Sequence, residues 1–157
     1  MVLTTIDILY LFLLIFLFIM SAFFSASETA LMRTNRYRIR HMAEQGDHEA
    51  QRLDIILKTP DKILGTILLG NNFINILASA LATAVFIAVF GERGIIYATV
   101  AMTVLLLVFC EVIPKTLAAY RADENSRLVA MPMQWIIRVL SPIVRLLNLI
   151  STGIDGA

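Results

Sequence analysis

Three groups of oxygen-bearing side chains stand inside long apolar stretches of this 157-residue sequence. Ser21, Ser25 and Glu28 recur at i, i+4 and i+7, and Asn72, Asn75 and Ser79 at i, i+3 and i+7, so on helices each set shares one face. In a third stretch Glu111 is followed by Pro114 and Lys115. Pro114 has no N–H to offer the carbonyl of Cys110, and Gly70, just ahead of Asn71 and Asn72, permits close backbone approach. Hydroxyl, amide and freed carbonyl oxygens around one carboxylate, with no imidazole or thiolate, suit a hard cation such as Mg²⁺, Ca²⁺ or Na⁺ rather than zinc or copper. The plainer alternative is helix glue: interhelical hydrogen bonds worth about 0.6 kcal/mol each on average, with Glu111 paired to Lys115. For any one Ser or Asn glue serves as well. For the whole set it is weaker, because intramembrane polar groups are expensive and three stretches converging at one depth exceed what packing needs.

The elements that position these groups follow from composition. The sequence is 59% hydrophobic and 16% charged with mean hydropathy +0.80, values that point to a bilayer rather than water as solvent. The apolar residues fall in blocks, about 7–28, 63–90 and 94–120, each long enough for the roughly 20 helical residues of a crossing. At about 1.5 Å per residue, Asn72 lies about 14 Å in from the start of the second block. Glu111 lies about 24 Å from the start of the third, and both are level with Ser21 to Ser25. The expected fold is an all-α membrane protein: three transmembrane helices, a cytoplasmic helical loop and an interfacial C-terminal amphipathic helix. The lone Cys110 excludes an intrachain disulfide and reads as a small packing residue. No stretch remains for a soluble catalytic domain, so neither an enzyme nor a nucleic-acid partner is expected.

Arg33, Arg36, Arg38, Arg40, Arg52, Lys58 and Lys62 all lie between the first two blocks, and none precedes the first. The positive-inside rule makes that loop cytoplasmic, the N-terminus external and the C-terminus cytoplasmic, with Gly91-Glu92-Arg93-Gly94 an external turn. Asp7 in place of a basic n-region favours a retained anchor over a cleaved signal. Gly46-Asp47 divides the loop into two short helices, and His41 and His48 within it lack the carboxylate pattern of a metal site. Beyond the third block, Gln134, Arg138, Ser141, Arg145 and Asn148 form a polar stripe on an otherwise apolar helix at about 127–150. A fourth crossing would bury two arginines at roughly 2.5–3.5 kcal/mol each and break its ladder at Pro132 and Pro142. The stripe therefore predicts a helix lying in the membrane surface, with Trp135 as its anchor.

The string Phe24-Ser25-Ala26-Ser27-Glu28-Thr29-Ala30, then Gly70-Asn71-Asn72 with Asn75, then Glu111-Val112-Ile113-Pro114-Lys115, resembles the transmembrane domain of the CNNM/CorC magnesium transporters. Three motifs in order, over almost the whole chain, make the resemblance specific. It implies a homodimeric, multi-pass cell-membrane protein that exports Mg²⁺ as its transported substrate, with inward Na⁺ as coupling ion and an inward-facing acidic cavity. Carried over residue by residue, Ser25, Asn72 and Glu111 look like cation ligands, with Ser21 and Asn75 behind them. Gly70, Asn71, Cys110, Pro114 and Lys115 are expected in support, and Glu28 as a cap or brace at the cytoplasmic end. The family continues into cytosolic CBS modules, expected in a full-length chain, whereas this sequence stops at Ala157. Two other classes stay open: a membrane anchor or sensor whose polar cluster only holds helices together, and a cation channel assembled from several chains.

Overall fold

The computed structural model describes the backbone of residues 5–155 and the side-chain surroundings of residues 8–144 and 146. Among them every regular element is helical: α1 (Thr5–Arg33), α2 (Arg36–Glu44), α3 (His48–Leu57), α4 (Pro60–Phe90), α5 (Gly94–Leu105), α6 (Ile113–Tyr120) and α7 (Ala122–Asp155). A 3-10 turn, Gly91–Arg93, joins α4 to α5, and a π-helical segment, Leu106–Val112, joins α5 to α6.

Three helical runs are long and apolar enough to cross a membrane: Ile8–Arg33, Pro60–Tyr120 and Ala122–Val144. The second holds 61 residues, which as one straight helix would measure about 90 Å against a hydrocarbon core of about 30 Å. It is not straight. Gly91 adopts φ +64°, a conformation open to glycine at no steric cost. The Phe86 carbonyl abuts Gly94, and the Phe90 and Tyr97 rings meet edge to face with centroids 5.3 Å apart. Residues eight apart on a continuous helix would be about 12 Å apart, so the chain reverses here. The run divides into α4 and an α5–α6 arm, which match the second and third apolar blocks.

The least apolar of the three runs belongs to α7. It begins at Ala122, before the expected start, and continues through Pro132 and Pro142 instead of breaking there. Each proline withholds one N–H, from the carbonyls of Leu128 and Arg138 respectively, and both of those residues are exposed. Of the predicted polar stripe, Gln134 and Ser141 are half-buried and Arg138 is exposed. The side chains of Arg145 and Asn148 lie outside the described residues.

The chain divides into two compact units, one of Met1–Ala26 and Gly70–Leu117, the other of Ser27–Leu69 and Ala118–Ala157. In the latter, α2 and α3 form a hairpin. Asn35 caps α2 by accepting the Arg38 N–H, and Asp47 caps α3 by accepting from Glu49 and Ala50. Between them Gly46 sits at φ +93°, with Gly46 N–H bonded to the Ala43 carbonyl and Asp47 N–H to that of Met42. This is a Schellman end followed at once by a new cap, which is how the expected Gly46-Asp47 break is made. The hairpin buries Ile39 and Leu53, and α3 packs on α7, where Met133 is fully buried.

Three carboxylates fasten this hairpin to the start of α7. Asp123 accepts from the Thr34 hydroxyl at 3.0 Å, the Asn35 N–H at 2.9 Å and the Arg38 guanidinium at 3.2 Å. Arg127 reaches Asp47 at 2.8 Å and Glu49 at 3.0 Å. The Ala50 N–H foremost, then the Arg127 charge, hold the Asp47 carboxyl below its ordinary value.

Candidate functional site

In the unit built from residues 1–26 and 70–117, α1 presents Ser21 and Ser25, both fully buried. Ser21 Oγ lies 3.1 Å from Asn71 Oδ1 and 2.6 Å from Asn75 Oδ1. Asn71 and Asn75 are one turn apart on α4, so their i, i+4 spacing brings two amides onto one hydroxyl. That hydroxyl carries a single proton and donates to one oxygen at a time. Three oxygens thus converge with one proton among them, an arrangement balanced either by turning one amide to present its NH₂ or by a cation.

One turn along α1, Ser25 Oγ points to the backbone carbonyl of Glu111 at 3.5 Å, the long limit of a hydrogen bond. Beside it the buried Cys110 thiol donates to the Phe18 carbonyl at 3.6 Å. Both partners belong to the π-helical segment, whose widened turn is visible in the Ile113 N–H bonding back five residues to the Val108 carbonyl. The sequence expectation was a kink at Pro114 with the Cys110 carbonyl freed. In the structure the departure from α geometry lies upstream of Pro114, and it is the Glu111 carbonyl that meets a hydroxyl. Single π turns inside helices are rare and concentrate at functional sites; Pro114 is the only residue that hints at this one.

Gly70 is occupied differently from expectation. A Cβ there would lie 2.6 Å from Phe24 Cζ, so the glycine makes room for a buried ring that also meets Phe23 edge to face at 5.8 Å. Asn72 is exposed and does not join Ser21, whereas Asn71, expected only in support, does. The i, i+4 relation of Asn71 to Asn75 is as good a helical pairing as the i, i+3 relation of Asn72, and it was the signal available for Asn71. The Glu111 side chain is partly exposed. Glu28 and Lys115 are partly buried, and each interacts with other groups of the chain. Among the described residues no three His, Cys, Asp or Glu side chains cluster as metal ligands. A cation held between Ser21, Asn71 and Asn75 would be met by neutral oxygens.

Residues 12–156 match the family described as Cyclin M transmembrane N-terminal domain, CNNM. The UPF0053 inner membrane protein YfjD of Escherichia coli (strain K12) is 45% identical over 135 residues, 83% of this chain and 31% of that protein. A UPF0053 protein of Haemophilus influenzae is 37% identical over 142 residues, 90% of this chain and 34% of its own. A chloroplastic DUF21 domain-containing protein of Arabidopsis thaliana is 36% identical over 135 residues, 86% of this chain and 20% of its own. The chain therefore spans about a third or less of these relatives. Because the family match takes in α1 from Phe12, the Asn71–Asn75 turn and the Glu111 to Pro114 segment, the chain belongs to the CNNM family and constitutes its transmembrane domain.

Proposed function

We propose that this domain carries Mg²⁺ out across the cell membrane, coupled to an inward Na⁺ gradient, and that it works as a homodimer. The observation behind the proposal is the convergence of Ser21, Asn71 and Asn75, where acceptor oxygens outnumber protons. Simple glue requires one amide to turn and present its NH₂, whereas a cation balances the three oxygens as they stand. Adjacent oxygens of an octahedral Mg²⁺ shell at about 2.0–2.1 Å lie about 2.9 Å apart. The 3.1 and 2.6 Å separations bracket that edge, so each amide oxygen is spaced from the Ser21 hydroxyl as a neighbour in one shell would be.

In this proposal Glu111 supplies charge, Ser21, Asn71 and Asn75 supply neutral oxygens with Ser25 and Asn72, and the π turn ahead of Pro114 lends a carbonyl. An amide facing lipid at membrane depth is costly. The exposed Asn72 therefore supports a second copy or a water-filled, inward-open cavity on that face. The Arg-rich α2–α3 hairpin lies on the cytoplasmic side, the N-terminus outside, and α7 in the interface with Trp135 at headgroup level. Relatives about three times as long leave room for cytosolic CBS modules outside the matched region.

Flux from proteoliposomes tests the proposal. Saturable Mg²⁺ efflux, accelerated by opposing Na⁺ and abolished in Glu111→Gln, is expected. Large ohmic conductance would make the domain a channel, and an absence of both flux and conductance would reduce it to an anchor or sensor.

A further inference from the structure

A groove of about 530 Å³ lies between α3, the first turn of α4 and α7. Two cations line it, Lys62 from α4 and Arg138 from α7, and no carboxylate does. Neither cation makes an ion pair among the described residues. The same walls carry the side chains of Thr59, Gln134 and Ser141, and an apolar part formed by Ile55 and Ile137. Gln134, Ile137, Arg138 and Ser141 fall at i, i+3, i+4 and i+7, one face of α7. Val144, one turn beyond Ser141, approaches to 3.0 Å of where a Cβ on Gly65 would stand, and Gly65 is one turn beyond Lys62. The two cation-bearing turns are therefore held side by side by direct packing of α7 on α4.

A second cavity of the same unit, about 460 Å³, is also lined by arginines, but Asp123 and Glu124 share it and pair with Arg38 and Arg121. In the second cavity two of the arginines are thus matched by carboxylates of the same lining, whereas the lining of the first groove offers its two cations no carboxylate at all. Its apolar part distinguishes the occupant further. A soluble phosphate has no use for Ile55, which is 57% exposed, or for Ile137; a molecule with a phosphate at one end and hydrocarbon at the other uses both. Along α7, Trp135, Val139, Ile143 and Leu146 are exposed apolar residues, the surface of a helix that lies against a bilayer.

We propose that this groove binds the headgroup of an anionic phospholipid of the cytoplasmic leaflet. Its phosphate sits between Lys62 and Arg138, with the hydroxyl and amide donors of Thr59, Ser141 and Gln134 around it and the start of an acyl chain on Ile55 and Ile137. The site depends on the hairpin facing the cytoplasm and is independent of the transported ion. A basic residue at an anionic surface contributes about fivefold in affinity, so the pair amounts to about thirtyfold.

Trp135, the sole tryptophan of the sequence, neighbours Gln134 and is 71% exposed, which makes it a local reporter. The protein is reconstituted in phosphatidylcholine vesicles, and Trp135 quenching is titrated with brominated phosphatidylglycerol or brominated phosphatidylcholine. Half-quenching is expected at up to about thirtyfold lower mole fraction of the anionic lipid. Lys62→Gln/Arg138→Gln should reduce that preference to below about fivefold, while the charge-preserving Lys62→Arg/Arg138→Lys and the charge-matched control Arg36→Gln/Arg52→Gln retain it. Equal quenching by the two lipids overturns the proposal, as does a control that loses the preference equally. Abolition of the preference by millimolar inorganic phosphate or glycerol phosphate assigns the groove to a soluble anion and overturns it too.

Discussion

Gly70→Ala puts a methyl group where the Phe24 ring now lies. The added carbon would stand 2.6 Å from Cζ, 2.7 Å from Cε1 and 3.2 Å from Cε2, whereas carbon atoms rest at about 3.5–4.0 Å. The ring must withdraw by about 1 Å, and because it is buried against Phe23 the movement is passed to α1. Such overpacking costs about 1–3 kcal/mol. Against it, alanine in place of glycine within a helix gains roughly 0.8–1 kcal/mol. The single variant should therefore be destabilised by about 0–2 kcal/mol. The sharper measurement is a double-mutant cycle with Phe24→Leu, followed by unfolding in mixed micelles. With the ring gone, Gly70→Ala should stabilise by up to about 1 kcal/mol, giving an interaction energy of about 1–3 kcal/mol. A 1 Å retreat of α1 also stretches the 3.1 Å contact of Ser21 with Asn71 beyond hydrogen-bond reach. Mg²⁺ flux should consequently fall further than stability in the single variant and recover in the double. Equal effects of Gly70→Ala in both backgrounds would refute the packing argument, and flux that stays lost in a fully stable double variant would move Gly70 to the ion path itself.

Glu111→Gln should lower Mg²⁺ affinity by on the order of tenfold or more, exceeding Ser25→Ala and Asn72→Ala, because neutral oxygens complete a shell without offsetting its charge. Calorimetric titration of the folded variants decides it, and unchanged affinity in Glu111→Gln rejects the site. Arg93→Cys, in the turn between α4 and α5, should react with impermeant maleimide from outside intact cells, and labelling confined to the cytoplasmic face would invert the topology. Acid should loosen the start of α3, as read by amide exchange. A carboxyl held below its ordinary 3.8 contributes fully above that value and loses its contribution as pH falls through the lower folded-state value. In Asp47→Asn that acid dependence should be absent; a variant that still loosens like the parent would assign it to another group.

How much of this was legible in the sequence differs by element. The apolar blocks, the turn at Gly91 and the hairpin break at Gly46-Asp47 rest on chain-local physics, namely hydrocarbon thickness and the left-handed conformation, and the helices between them appear where expected, whereas α1 and α7 extend beyond their expected bounds. The phase of α4 did not follow. Helical spacing says which residues share a face with each other but not which face meets α1, so Asn71 with Asn75 and Asn72 with Asn75 were both admissible pairs. Packing of Phe24 against Gly70 accompanies the orientation in which Asn71 meets Ser21. The π turn was hidden for a related reason. Pro114 signals a missing N–H, but where the helix absorbs it depends on contacts such as that of Cys110 with Phe18, made by residues 92 apart. Likewise α7 survives two prolines that argued for breaks, since its other bonds and its packing on α3 hold it.

The clasp between the hairpin and α7 has a consequence for the order of assembly. Thr34 and Asp123 are 89 residues apart, and Asp47 and Arg127 are 80 apart, with two apolar blocks in between. At about 5–20 residues per second, roughly 4–16 s pass between synthesis of Asp47 and of Arg127. Throughout that interval α2 and α3 exist as a hairpin without α7 to pack on α3. The clasp closes only when α7 emerges on the hairpin's own side of the membrane, which requires an even number of crossings in between. A chain that failed to thread α4 or the α5–α6 arm would carry Asp123 and Arg127 to the opposite face. Its hairpin would stay unclasped, so the clasp distinguishes correctly threaded chains from misthreaded ones.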